Sequence, residues 1–452
     1  MHPNLSNEPT LERPAPPSFG EAFLYWLKLG FISFGGPAGQ ISMMHQELVE
    51  KRRWISERRF LHALNYCMLL PGPEAQQLAI YIGWMLHRSW GGIVAGTLFL
   101  LPSLFILAAL TYIYLAYGDL AFVQGVFNGI KPAGVAIVLF AAWRIGSRAL
   151  KNEVLWILAA AAFLAIFVFN VPFPYIVLGA GLLGFFGGKL MPGKFAVGGG
   201  HGASGKSYGP AVIDDDTTPP AHTRFRPVRL LVLLVLFIAL WLAAMALLLE
   251  PELRTMGEFF TKAALVTFGG AYAVLPYVYQ GGVETHGWLT GPQMMDGLAL
   301  GETTPGPLIM VVAFVGFVGA WTKEIFGPDM LLLAGFTGAV VATFFTFLPS
   351  YLFILAGAPL VEATHGDLRF TAPLSGITAA VVGVILNLAL FFGWHVLWPQ
   401  GTADAPFAGD FEWFQALVAL AAFIALWRYK VDILKVIGAC ALVGLGYAWV
   451  GG

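Results

Sequence analysis

Two stretches of this chain carry the same helix-breaking pattern inside apolar sequence. The first runs Ser33-Phe34-Gly35-Gly36, then Trp54, then Pro71-Gly72-Pro73. The second runs Thr267-Phe268-Gly269-Gly270, then Trp288, then Pro305-Gly306-Pro307, with every equivalent pair 234 positions apart. Lys28 and Lys262 keep the same spacing. Glycine and proline interrupt helices. Irregular backbone at membrane depth is tolerated only where it is buried in protein or lines a cavity. A duplicated, broken, lysine-bearing membrane helix therefore points to a transporter whose site lies between two half-molecules.

The composition fits a membrane setting. The 452 residues are 58% hydrophobic and 11% charged, with a mean hydropathy of +0.74; soluble domains hold about a quarter charged residues. Apolar runs of spanning length recur at 92–117, 121–143, 155–170, 229–249, 329–355 and 409–427. The net charge of −1 resides in loops and points to no acidic or basic partner, so no nucleic acid is expected. Cys67 and Cys440 are isolated in apolar segments and read as packing residues, with no disulfide framework and no metal spacing. No cofactor is expected. The first 18 residues are polar and proline-rich and lack signal-peptide features, so insertion is expected to use internal helices.

The organisation follows from the repeat. A polar tail covers 1–18, a first repeat 19–190, a Gly/Pro/Asp/Ser-rich cytoplasmic linker 191–227, a connecting transmembrane helix 228–254, and a second repeat 255–452. Leu101-Pro102-Ser103 matches Leu348-Pro349-Ser350, and Gly129-Ile130 matches Gly376-Ile377, both 247 apart; a 13-residue insertion therefore separates these blocks from the opening motif. The stretch from Val171 resembles that from Val431 at a spacing of 260. The loop after the first broken segment carries Lys51, Arg52, Arg53, Arg58 and Arg59, whereas residues 279–296 carry no Lys or Arg. Positive charge favours the cytoplasmic side, so the two repeats are expected to face opposite ways. Treating 19–45, 60–88, 258–282 and 293–322 as re-entrant hairpins places Arg144, Arg148, Lys151, Arg428 and Lys430 inside; a spanning 60–88 would put Arg144 to Lys151 outside. The expected fold class is an all-α polytopic membrane protein with two inverted-topology repeats, about nine spans and four re-entrant hairpins.

The breaks expose backbone N–H groups at the starts of half-helices, which carry partial positive charge and attract anions. The candidate anion site is Ser33, Gly35, Gly36, Pro71, Gly72 and Pro73 with Thr267, Gly269, Gly270, Thr303, Thr304, Pro305, Gly306 and Pro307. Lys28 and Lys262 would flank it as cations, the alternative being that each snorkels to the interface. Glu74 and Glu302 sit beside the two Pro-Gly-Pro turns, with Asn65, Gln76 and Gln77 nearby. They are candidates for carrying a coupling proton; helix capping or pairing with a lysine is the alternative. His62 and Asp296 are equivalent and read as polar residues at hairpin mouths. Residues 200–207 satisfy the phosphate-loop pattern, but no strand precedes and no helix follows, so chance composition explains the match.

The Phe-Gly-Gly-Pro break, the following Trp54-Ile55-Ser56, the Leu-Pro-Gly-Pro turn and the degenerate copy ending Glu302-Thr303-Thr304-Pro305-Gly306-Pro307 together resemble the chromate transporter family, over about residues 20–450. The length resembles its two-domain members. The resemblance implies secondary export of chromate across a bacterial inner membrane, with sulfate as the isostructural competitor and no enzymatic activity. Another inorganic anion carrier or channel is the alternative, and a homodimer is left open. The second copy departs from the first: Ala271 stands where Pro37 does, and the basic loop is missing.

Overall fold

Each Gly/Pro motif ends one helix and starts the next. The computed structural model describes residues 12–34, 36–195, 208–217, 220–268, 271–364, 371–401 and 405–450. Helix α1 (Phe19–Ile32), capped by Ser18, stops at Ser33, and α2 (Gly36–His45) follows. Helix α3 (Glu57–Leu69), capped by Ser56, stops short of Pro71, and α4 (Glu74–Tyr117) starts after Pro73. Then come α5 (Ala121–Ala149), α6 (Glu153–Phe167), α7 (Phe173–Leu190), the short α8 (Pro192–Phe195) and α9 (Pro227–Leu247). The second half holds α10 (Pro251–Val266), α11 (Leu275–Tyr279), α12 (Gly291–Thr303), α13 (Val311–Thr322), α14 (Leu331–Thr364), α15 (Thr371–Leu397), α16 (Trp413–Trp427) and α17 (Ile433–Val450). No strand occurs among the described residues.

The element boundaries keep the sequence spacings. Helices α3 and α12 have 13 residues each and lie 234 apart; so do two single π-helical turns, Gln46–Lys51 and Gln280–Thr285. Helices α6 and α16, and α7 and α17, are 260 apart at both ends.

Helix α4 is two arms, not one rod. His87 and Arg88 leave helical geometry, Arg88 with φ +58°. The chain folds back so tightly that a Cβ on Gly91 would lie 2.2 Å from the Gly83 carbonyl oxygen. Helices α13 and α14 pack the same way, Gly338 against the Gly316 carbonyl, but are joined through residues 323–330, where the sequence insertion falls. The tryptophans that follow each first break bring the chain back to where it began. Trp54 packs on Tyr25 with ring centroids 5.5 Å apart, and Arg52 pairs with Glu21 at 3.0 Å. Trp288 donates to Glu252 and packs on Phe259.

The linker is anchored more firmly than its composition suggests. Ala211 and Ile213 are buried, Ile213 bridges backbone to backbone with Ile55, and Ser56 donates to Asp215 at 2.9 Å. Arg13 reaches Asp216, and His222 meets the Trp84 carbonyl. Two apolar residues in a polar segment suffice to dock it, since burial of each stabilises by about 1–3 kcal/mol. The phosphate-loop match at 200–207 lies outside the described residues.

Among the described residues, seven helices are long and apolar enough to cross a membrane, and three shorter ones, 153–167, 308–322 and 413–427, are apolar. Helix α9 is the clearest case: its 21 residues bury none of their side chains in protein. At 1.5 Å per residue it measures about 31 Å, the hydrocarbon thickness of a bilayer. One edge rests on the core through Phe237, Trp241 and Met245, and the rest of its apolar surface is exposed, as suits a helix solvated by lipid. The chain is a multi-pass, all-α membrane protein.

Candidate functional site

The four breaks converge at one place, and they interlock across the halves. The Gly72 backbone N–H donates to the Thr267 carbonyl at 2.8 Å, and the Gly306 N–H donates to the Ser33 carbonyl at 2.9 Å. Each Pro-Gly-Pro turn thus bonds the break of the other half. Both glycines occupy the left-handed side of backbone space, φ +115° at Gly72 and +108° at Gly306, which side chains resist. Neither has room for one. A Cβ at Gly72 would lie 2.8 Å from Ser350 Oγ and from Gln77 Nε2; at Gly306 it would lie 2.7 Å from Ser103 Cβ. The two repeated Leu-Pro-Ser serines therefore press on the opposite half's turn.

Polar side chains collect around these tips. Gln40 Nε2 donates to the Ser33 carbonyl at 3.0 Å and to the Gly306 carbonyl at 2.6 Å; Gln77 Nε2 donates to the Pro71 carbonyl at 2.7 Å. Ser33, Gln40, Gln77 and Ser103 are fully buried. Yet Ser33 Oγ, Ser103 Oγ, Gln40 Oε1 and Gln77 Oε1 have no hydrogen-bond partner among the described residues. A buried polar group left unmatched costs about 1–3 kcal/mol, so four at one locus mark a place built for something other than packing.

The sequence-derived candidates divide clearly. Ser33, Gly36, Pro71, Gly72, Pro73, Thr267, Pro305, Gly306 and Pro307 lie at or beside the convergence; Gly35, Gly269 and Gly270 fall outside the described residues. Thr267, Thr303 and Thr304 spend their hydroxyls on their own helices, donating to the Ala263, Leu300 and Gly301 carbonyls. Glu74 is the first residue of α4. Glu302 accepts from the Tyr272 hydroxyl at 2.5 Å, and Arg144 of α5 is near enough to act electrostatically on that pair.

The structure does not bring the lysines to the tips. Lys28 is exposed on the α1 face that carries Leu24, Phe31 and Ile32, while Tyr25, Trp26 and Leu29 are buried. Lys262 is exposed and pairs with Glu258 at 3.8 Å. Lys28 belongs to an apolar outer face along which a lysine stem can run to the interface, and Lys262 to an exposed face of α10 that also carries Arg254 and Glu258. Replacing either with Gln is expected to leave transport within about fivefold of wild type, because exposed charges contribute at most ~1 kcal/mol; a tenfold loss in a vesicle flux assay would return them to the site.

Sequence reasoning missed Gln40, Ser103, Ser350 and Tyr272. The serines carried a signal, their recurrence in matched Leu-Pro-Ser triplets, which served only as a register marker. Two polar clusters flanking the tips were also missed. Near the linker side, Glu362 receives Arg59 at 2.7 Å and the Tyr81 hydroxyl. On the other side, Asp296 receives the Tyr114 hydroxyl at 2.8 Å, with Lys131 Nζ at 3.8 Å. In each, the first half supplies a cation and a tyrosine, and the second half a carboxylate.

A multi-pass helical bundle whose broken helices meet tip to tip at a buried polar locus has the architecture of a membrane transporter. The chain belongs to the chromate transporter family, whose profile matches residues 20–185 and 254–445. It is 32% identical to the chromate transport protein of Pseudomonas aeruginosa over 98% of this chain and 96% of that one. It is 30% identical to the chromate transport protein of Cupriavidus metallidurans, covering 93% and 91% of the two chains. It is also 30% identical to a probable chromate transport protein of Synechococcus elongatus, covering 89% and 88%. These relatives are named as transport proteins, not enzymes. No solved structure matches the chain.

Proposed function

We propose that this protein is a secondary transporter that exports chromate across a bacterial inner membrane, holding the anion at the convergence of the four breaks. The observation that carries the proposal is the reciprocal pair of backbone bonds, Gly72 to Thr267 and Gly306 to Ser33, with unmatched buried hydroxyls beside it. In this reading the halves are inverted repeats, and the hairpins α1/α2 and α3/first arm of α4 open toward the linker while those of the second half open away from it. Ser33 and Ser103 would donate to the oxyanion. The starts of α2 and α4 would add the partial charge of their free N–H groups. Binding by neutral donors suits a carrier, because a dianion held by buried lysines would leave slowly.

Glu74 lies at the start of α4, where an anion is also favoured. Its carboxylate therefore competes with the substrate unless protonated, and with Glu302 it is assigned the coupling proton. Relatives carrying the chromate name support the substrate; sulfate has the same shape and charge and should compete.

The test is flux in vesicles containing the purified chain. Chromate transport inhibited by sulfate is expected, and Ser33→Ala and Ser103→Ala should each weaken it about tenfold, the loss of one hydrogen bond to a charged group at ~1.5 kcal/mol. Sulfate transport that chromate does not inhibit would overturn the substrate assignment. Full activity in both serine variants would overturn the site.

A further inference from the structure

A polar cavity of about 420 Å³ lies beside Tyr114, Asp119, Gln124, Asn128, Lys131 and Asp296, at the end of α4 remote from the linker. Asp296 is its deepest charged residue, only 2% exposed. Its Oδ2 accepts from the Tyr114 hydroxyl at 2.8 Å and faces Lys131 Nζ at 3.8 Å. Its Oδ1 has no partner among the described residues. A carboxylate oxygen this buried and unmatched, in the wall of a cavity, is one hydrogen short of satisfaction. Either a ligand atom or a proton would complete it. The cavity counts two acids, Asp119 and Asp296, against one base, Lys131, so the missing partner is positive.

We propose that Asp296 is a proton-binding residue through which protons enter from the side opposite the linker. This rests on the proton-coupled reading above and adds its port of entry. A proton from cavity water adds to Oδ1, and the carboxylate becomes a neutral acid. The proton leaves either back to water or inward. Inward along the same helix stands Glu302, six residues on and about 9 Å along the axis, bonded to Tyr272. Two carboxylates on α12 thus lead from the cavity to the tips.

Protonation also has a mechanical result. Lys131 and Tyr114 come from the first half and Asp296 from the second, so a neutral Asp296 no longer holds Lys131 across the halves. The titratable groups facing Asp296 here are Tyr114 from α4, Asp119 from the turn after it and Lys131 from α5. Helices α13, α15 and α17 also pack on α12 but contribute none to the cavity wall among the described residues.

The experiment compares the wild-type chain with Asp296→Asn in vesicles, measuring chromate flux with and without a pH gradient. Loss of gradient stimulation in the variant is expected, with chromate-for-chromate exchange, which needs no net proton movement, continuing. Stimulation at the wild-type level would overturn the proposal. A wild-type protein indifferent to the gradient would instead defeat the coupling reading. Infrared difference spectra then decide the proton site independently. The carbonyl band of protonated carboxylic acids should titrate in wild type and lose one component in Asp296→Asn, those of Glu74 and Glu302 remaining; a band unchanged in the variant overturns the assignment. If Asp296→Asn does not fold, Tyr114→Phe, which removes the donor on Oδ2, should move the midpoint of that band, and an unmoved midpoint is equally fatal.

Discussion

Replacing Gly72 or Gly306 with Ala is expected to abolish transport. Each glycine has a backbone that side chains rarely adopt, a strain of about 1–3 kcal/mol for any other residue. Each new Cβ would also press within 2.8 Å of a serine from the other half, and overpacking of this kind adds about 1–3 kcal/mol. Shifting the turn is the cheapest relief, but that breaks the N–H bond to Thr267 or Ser33. The combined penalty corresponds to a hundredfold or greater loss of rate, at 1.36 kcal/mol per factor of ten. The two variants should fail alike, because their environments are equivalent across the halves. Flux in vesicles is the measurement, with thermal unfolding of the purified protein as control. Wild-type flux in either variant would show that the tips tolerate rearrangement and are not the site.

Arg59→Ala should be strongly destabilising although it lies outside the tips. Glu362 has a side chain only 6% exposed, and Arg59 lies 2.7 Å from it. Removing one partner of a buried pair leaves an uncompensated charge, at about 3–5 kcal/mol. Tyr81 still donates to Glu362, which places the expected loss at the low end of that range. The double variant Arg59→Ala/Glu362→Gln should recover most of the stability, since a neutral amide needs no counter-charge. A double variant no more stable than the single would mean that Arg59 acts through packing alone. Melting of the detergent-solubilised chain checks both.

Much of this architecture was legible in the sequence, because glycine and proline are the residues whose structural meaning survives without context. The breaks at 33–36, 71–73 and 305–307 are helix ends in the structure, and the spacings of 234 and 260 recur in helix boundaries. What could not be read was direction. Lys28 shares one helix with Tyr25, Trp26 and Leu29 on its buried side and with Leu24, Phe31 and Ile32 on its exposed side. Both faces are apolar, so hydropathy does not say which one meets protein; in lipid the usual inside-outside contrast is lost. Ser103 and Ser350 were hidden for another reason. Each meets a turn of the opposite half, a contact that no local spacing encodes. Asp296 looked like a residue at a hairpin mouth and is instead almost wholly enclosed.

The meeting of the four breaks at a single level has an electrical consequence. In the inverted-repeat reading, short helices run to this level from the linker side and from the opposite side, with the ion pairs of Glu362 and Asp296 on its two flanks. Wherever water reaches the mouths of such hairpins, the voltage across the membrane does not fall evenly over the bilayer but collapses over the thin plug of tips between them. An ion passing the plug then crosses most of the field within a few residues. For a dianion that step is worth about 4.6 kcal/mol per 100 mV, twice the single-charge value. A cell interior held negative would thus expel such an anion through a movement far smaller than the thickness of the protein.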